Sequence, residues 1–286
     1  MVTALTGEPA PIAHHLTGAV YQVRLASGAT VIAKHGPVAA EAAGLRWLAG
    51  SKTVRLPAIL GVDDGWLVLE QVDEGGPTPA AAEEFGRQLA GMHAAGAAAF
   101  GEPPPGGPTD AWIGMAPMVN VPAPSWPEWY GEHRVTPYLR RCADAGTLSA
   151  AETAMVERVV ERLPELAGPP EPPARLHGDL WQGNVLWADD GHVRLIDPAA
   201  HGGHRETDLA MLALFGCPQL DRVLAGYQEV APLADGWADR IALHQLFPLL
   251  VHTHLFGRGY AGRTVAAARR MLADPSSARG PDAPTV

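Results

Sequence analysis

The sequence predicts an α+β chain in two parts, a small strand-rich front and a larger, mostly helical rear. Three observations carry this. Before residue 72 the apolar residues come in short runs separated by turn residues, a hairpin pattern. From Ala80 onward they recur at helical spacing. Two proline-rich stretches, Glu102–Pro108 and Pro164–Pro173, cannot be helix interior and mark loops.

Taken in order, Val20–Leu25 and Thr30–His35 flank Ala26-Ser27-Gly28-Ala29 and read as a hairpin. Pro37 suits the first turn of a helix over Val38–Ala49. Leu56–Leu60 and Trp66–Glu70 form a second strand pair. The rear is expected to hold helices over Glu83–Ala97, Trp126–Cys142, Ala150–Leu163, Asp208–Leu214, Pro218–Val230 and Asp239–Phe256. The expected divisions are a front lobe over 1–72, a rear lobe over 73–273 and a disordered tail over 274–286, rich in Pro, Ser and Gly. A cleft between lobes is then the expected ligand site.

Composition removes several classes. A formal charge of −10 with no basic run argues against nucleic acid as a partner. No apolar run approaches the ~18 residues of a membrane span, and the opening residues, broken by Glu8, Pro9 and Pro11, do not read as a secretory signal. Two cysteines without a CxxC pair fit a reducing, cytoplasmic setting and argue against a thiolate zinc site. The sequence is silent on oligomeric state.

The chemistry concentrates in HGDLWQGNVLWADDGHVRLIDPA, residues 177–199. Two short strands flank Asp190-Gly191, a favoured two-residue turn. That turn would set Asn184 opposite Asp197, with Cβ atoms roughly 5 Å apart. An amide oxygen and a carboxylate so placed are hard-oxygen ligands suited to Mg²⁺. Asp179, five residues before Asn184, would sit beside them, where a carboxylate can take the proton of an attacking hydroxyl.

Lys34 and Lys52 are the only lysines in the chain. Val38, Glu41, Leu45 and Leu48 share one helical stripe, so Glu41 interrupts an inward apolar face and needs a cation. Lys34 on the preceding strand is the obvious cation, the alternative being a surface salt bridge on a short helix. A strand lysine fixed by a helix glutamate presents an ammonium to nucleotide phosphates.

These residues resemble the fructosamine kinase (ketosamine kinase) family, within the aminoglycoside phosphotransferase and protein-kinase-like fold. The motifs are LHGDLWQGN at 176–184, IDPAAHGGHRETDLAMLALFG at 196–216 and LHQLFPLLVHTHLFGRGY at 243–260, with weaker agreement at LAGMH (89–93), FG (100–101) and WPEWYGEHRVTPYL (126–139). The resemblance implies a two-lobed kinase with an antiparallel-sheet front and a helical rear. It implies ATP- and Mg²⁺-dependent phosphorylation of a sugar hydroxyl in a ketosamine, free or protein-bound. By position it implies Asp179 as catalytic base, Asn184 and Asp197 as Mg²⁺ ligands, and Lys34, fixed by Glu41, on the phosphates. His177 and Asp208 would support the catalytic loop. Gly18 is the one glycine of the nucleotide loop His15–Tyr21, and Glu70–Val72, including Glu70 and Val72, would form the hinge touching adenine. The segment APMVNVPAP around Asn120 is less polar than the family's usual counterpart.

Trp181 in the catalytic loop is the aromatic best placed to face a substrate, while Trp126 and Trp129, spaced i, i+3, read as core. His204, Arg205 and Glu206 either line the acceptor side or form a salt-bridged loop. The histidine pairs His201/His204 and His252/His254 lack metal-ligand spacing and read as packing or substrate contacts. Other acceptors within the class are an aminoglycoside, another amino sugar or an amino alcohol. From other classes, an inactive nucleotide-binding pseudokinase is the main rival, and a His/Asp metallohydrolase is disfavoured.

Overall fold

The computed structural model describes residues 1–273; the tail expected over 274–286 lies outside the described residues. In chain order the elements are α1 (Val2–Thr6), β1 (Ile12–Thr17), β2 (Val20–Arg24), β3 (Thr30–His35), α2 (Ala39–Ala49), β4 (Ile59–Val62), β5 (Trp66–Glu70), α3 (Pro79–Ala94), β6 (Asp110–Ile113) and β7 (Ala116–Val119). There follow α4 (Trp126–Tyr130), α5 (Thr136–Asp144), α6 (Ala150–Glu161), α7 (Leu163–Leu166), β8 (Ala174–Leu176), β9 (Val185–Trp187), β10 (Val193–Leu195) and β11 (His201–Gly203). The last helices are α8 (Glu206–Phe215), α9 (Leu220–Val230), α10 (Trp237–Phe256) and α11 (Ala261–Leu272).

The chain divides into two compact units, Met1–Trp126 with Glu171–Leu233, and Pro127–Pro170 with the described residues from Ala234 onward. These units do not follow the expected boundary at 72/73. The reason is a set of bonds that cross that boundary: Leu195 N–H donates to the Arg55 carbonyl at 3.0 Å, and the Arg175 guanidinium to the Trp47 carbonyl at 2.8 Å.

In the first unit, five antiparallel strands run in the order β1-β2-β3-β5-β4. The β2–β3 hairpin has the expected strands, with Val20 opposite Lys34 and Arg24 opposite Thr30. Strand β4 starts at Ile59, three residues later than the expected Leu56, because Pro57 has no N–H to give a ladder. Helix α2, with Val38 at its N-cap, packs Val38, Ala42 and Leu45 against Leu67 and Leu69 of β5, while its Leu48 joins the core that holds Val54, Phe85 and Leu89.

Behind the sheet, α3 and α9 cross closely. A Cβ on Gly86 would meet the Val223 carbonyl oxygen at 2.0 Å, and one on Gly226 the Glu83 oxygen at 2.1 Å. Only glycine permits that crossing, which completes the core of Phe85, Leu89, Val223 and Tyr227 with Leu180 and Leu195 of the catalytic segment. Helix α3 begins four residues before the expected Glu83, since Thr78 accepts the Ala81 N–H as N-cap and Pro79 fills the first turn.

The second unit is helical. The single helix expected over Trp126–Cys142 is broken into α4, a π-turn over Gly131–Val135, and α5. Pro137, at the start of α5, cannot donate into a continuous ladder. Arg134 is buried here with its guanidinium 4.3 Å from the Trp129 ring centroid, and burial pushes its pKa down to about 9. Helix α6 opens on a capping box between Ser149 and Glu152. The β6–β7 and β8–β11 pairs and α11 go beyond what the pattern predicts. Among the described residues no helix is long and apolar enough to cross a membrane.

Candidate active site

The site lies within the first unit and grows from the run β8–loop–β9–β10–β11–α8. After Leu176 the chain turns through Gly178 at φ 81°, where a Cβ would lie 2.2 Å from the Ala199 oxygen. This position admits only glycine. The loop is then fixed by one carboxylate: Asp208, in the first turn of α8, accepts the His177 N–H at 2.7 Å and the Gly178 N–H at 2.9 Å. Its Oδ2 also meets His93 Nε2 at 3.1 Å, and His93 Nδ1 meets the Tyr227 hydroxyl at 2.9 Å. Burial works to raise the Asp208 pKa, but the His93 bond and the loop N–H groups outweigh it and hold the carboxyl below its ordinary value. The His177 ring is also buried, which lowers its pKa, and its Nε2 bonds the Ile196 carbonyl at 2.9 Å. Sequence reasoning assigns His93 and Tyr227 no role; the LAGMH motif is the signal that could have found His93.

The hairpin register differs from the expected one by a residue. Val185 pairs with Leu195 and Trp187 with Val193, so Asn184 faces Ile196 and not Asp197; the Ile196 N–H donates to the Asn184 carbonyl at 3.2 Å. The loop is three residues, Asp189-Asp190-Gly191, closed by Ala188 N–H to His192 O at 2.9 Å. Gly191, at φ 79°, takes the left-handed position of a turn-plus-bulge connection in place of the two-residue turn. Asp197 thus falls one step past the ladder, at φ 54°, a conformation rare for a non-glycine residue.

That backbone turn brings the Asp197 carboxylate to Lys34. The Lys34 ammonium donates to Asp197 Oδ1 and, at 2.7 Å, to Glu41 Oε1. Burial alone would lower its pKa, but the two carboxylates reverse the direction and raise it, so Lys34 stays charged. Asn184 Nδ2 donates to the Asp179 carbonyl at 2.8 Å and to its Oδ2 at 3.2 Å. Asn184 Oδ1 therefore points its acceptor elsewhere and takes no hydrogen bond from the described residues. Asp179 is pushed up to about 7, chiefly by burial, with the Asn184 bond opposing and the Asp197 and Asp208 charges assisting. The structure thus unites Lys34, Glu41, Asp179, Asn184, Asp197, Asp208 and His177.

The remaining expected residues make none of these side-chain bonds. Gly18 sits at φ 51° in the β1–β2 turn, its carbonyl 2.8 Å from His15 Nε2. Glu70 ends β5 and its carboxylate accepts the Ala58 N–H at 3.1 Å; Val72 follows it, half-buried. Trp181 is exposed, its ring edge-on to Phe215 at 6.1 Å. The acceptor-side expectation for Arg205 gives way to the salt-bridged loop: both ends of its fork bind Glu171, at 2.6 and 2.7 Å, and it also bonds the Ala231 and Pro232 carbonyls. His204 and Glu206 are buried, His204 against the Trp126 ring. Trp126 and Trp129 are core, as the spacing implied.

A lysine clamped to a helix glutamate under a sheet, facing an Asp–Asn loop and a following Asp, defines the class of ATP-dependent phosphotransferases. Comparisons agree. Residues 31–274 match the fructosamine kinase family. The chain is 33% identical over 227 residues to the chloroplastic protein-ribulosamine 3-kinase of Arabidopsis thaliana, covering 77% of this chain and 67% of that protein. A crystal structure from Thermobifida fusca, of a protein provisionally named fructosamine-3-kinase, is 51% identical with a TM-score of 0.89 over 95% of this chain and 96% of the other. A macrolide 2′-phosphotransferase type I shares the fold, at 18% identity and a TM-score of 0.61 over 96% of each chain. The chain belongs to the fructosamine kinase family of ATP-dependent small-molecule kinases.

Proposed function

We propose that this protein transfers the γ-phosphoryl group of ATP to a sugar hydroxyl of a ketosamine, free or carried on a protein amine, in a cytoplasmic setting. The observation that carries the reading is the convergence of a charged Lys34, held by Glu41, on Asp197 beside a loop whose Asp179 has a pKa near neutrality. The names of the relatives support the acceptor class.

Asp179 is the base. Its Oδ2 is engaged by Asn184, so Oδ1 accepts the acceptor hydroxyl's proton as the new O–P bond forms and the bond between the γ-phosphorus and ADP breaks. A pKa of about 7 keeps a useful carboxylate fraction at neutral pH and a real affinity for the proton. Lys34 lies against the phosphates, and Glu41 fixes its position. The hinge Glu70–Val72 meets adenine through backbone groups, and Gly18 lets the front turn approach the phosphates. Trp181 offers its exposed face to the sugar.

The residues also fit Mg²⁺. Asn184 Oδ1, with no hydrogen-bond donor among the described residues, and the Asp197 carboxylate are hard oxygen donors, and the ammonium against Asp197 reports a local demand for positive charge. When bound, Mg²⁺ neutralises phosphate charge.

The test is ATP turnover against ribulosyl- and fructosyl-lysine, an aminoglycoside and an amino alcohol. Turnover highest with the ketosamines supports the reading. Preference for the aminoglycoside or amino alcohol moves the acceptor, and nucleotide binding without transfer to any of them identifies a pseudokinase.

A further inference from the structure

We propose that a groove behind the active site, between α2 and the β9–β10 hairpin, binds a small organic anion, a phosphate or carboxylate on a compact apolar body, and tunes nucleotide binding. The groove measures about 550 Å³, within the range of small-molecule sites. None of Lys34, Asp179, Asn184 or Asp197 lines it, so it is distinct from the reacting centre, and Glu70, the first residue of the proposed hinge, stands on its rim.

Its chemistry is two-sided. Leu45, Leu56 and Pro57 supply an apolar floor, and the guanidinium-bearing Arg46, Arg55 and Arg194 surround it. Arg194 is already forked onto Asp190, at 2.8 and 3.1 Å. Arg46 and Arg55 are exposed and make no side-chain hydrogen bond or ion pair among the described residues. The rim also carries Glu70, whose Oε2 accepts the Ala58 N–H and whose charge acts on Arg194, so Arg46 and Arg55 are the cations left to an incoming anion. On a chain of formal charge −10, two unmatched guanidiniums over one apolar floor form a local recognition point for an anion. A planar fork suits phosphate and carboxylate alike.

The walls explain why occupancy would be felt at the reacting centre. Leu45 and Arg46 lie one helical turn beyond Glu41, which holds Lys34. Arg194 lies three residues before Asp197, the other partner of Lys34. An anion drawing Arg46 and Arg55 toward the hairpin acts on both elements that position the Lys34 ammonium. It therefore changes the affinity for ATP without touching it.

The test uses the full chain saturated with Mg²⁺ and a non-hydrolysable ATP analogue, titrated calorimetrically with phenyl phosphate, benzoate, inorganic phosphate and benzyl alcohol. Phenyl phosphate is expected to bind with a Kd of about 1 mM or tighter. Inorganic phosphate should bind about tenfold more weakly for want of the apolar body, and neutral benzyl alcohol not detectably. Comparison of phenyl phosphate with benzoate tells which anionic group is preferred. The double variant Arg46→Glu/Arg55→Glu, at exposed positions, should keep its melting temperature and weaken phenyl phosphate at least about tenfold. In initial-rate assays phenyl phosphate should shift the KM for ATP at least about twofold in the wild type and not in the double variant. No binding up to the order of 10 mM, or equal binding to both proteins, would overturn the site. An unmoved KM would overturn the coupling. Loss of all transfer activity with intact calorimetric binding would count against the kinase reading and leave the groove standing.

Discussion

Replacing Asp179 by Asn should remove transfer and at the same time stabilise the free protein above neutral pH. The Asp179 carboxyl titrates near 7 in the folded chain against an ordinary value of 3.8, and burial is the main cause. Between those values the unfolded chain has lost the proton and the folded chain keeps it. The folded state then binds more protons, so stability falls as pH rises from about 4 to about 7 and levels off above. The total is roughly 4 kcal/mol, and between pH 5 and pH 8 about 3 kcal/mol of it is lost. The amide introduced by Asp179→Asn does not titrate, and its oxygen can still accept the Asn184 amide bond, so the variant escapes this loss. Thermal melts of both proteins, without nucleotide, at pH 5, 6, 7 and 8 check it. The variant's advantage in Tm should grow by roughly 5 to 10 °C from pH 5 to pH 8. An advantage independent of pH would refute the buried, neutral-leaning carboxyl and the base assignment built on it.

Lys34→Met should lower kcat/KM for ATP on the order of 100-fold with little change in the KM of the acceptor, read from initial rates with each substrate varied; equal effects on both would remove Lys34 from the phosphates. Asp208→Asn leaves an amide facing two loop N–H donors and His93, so it should cost roughly 3 kcal/mol and lower the Tm by about 10 °C; an unaltered melt would contradict the bracing. Gly86→Ala drives a Cβ to 2.0 Å from the Val223 oxygen and should cost about 1–3 kcal/mol or more in urea unfolding; an unmoved midpoint would contradict the close α3–α9 crossing.

Much of this was legible because chemistry and periodicity coincided. Glu41 on an apolar stripe demanded a cation, and Lys34 was one of only two lysines, so their pairing followed from burial energetics. The hairpin was equally visible, but its register was not. Asp190-Gly191 fits both a two-residue turn and the last two positions of a three-residue loop, and the choice rests on backbone bonding at Ala188 and His192. Asp197 still reaches Lys34, because its left-handed backbone restores what the register shift displaces. Arg205 shows the opposite limit. Its partner Glu171 is 34 residues away in a proline-rich loop, and no local pattern joins them. His93 lies in the LAGMH motif, yet its bond to Asp208 spans 115 residues and exists only through the fold.

The most direct test of the proposed function is mass analysis of ribulosyl-lysine after incubation with ATP, Mg²⁺ and either the wild type or Asp179→Asn. The account predicts addition of one phosphoryl group to the sugar with the wild type, with ADP formed in equal amount, and essentially none with the variant. Unmodified ribulosyl-lysine from the wild type, or equal phosphorylation by Asp179→Asn, would contradict it.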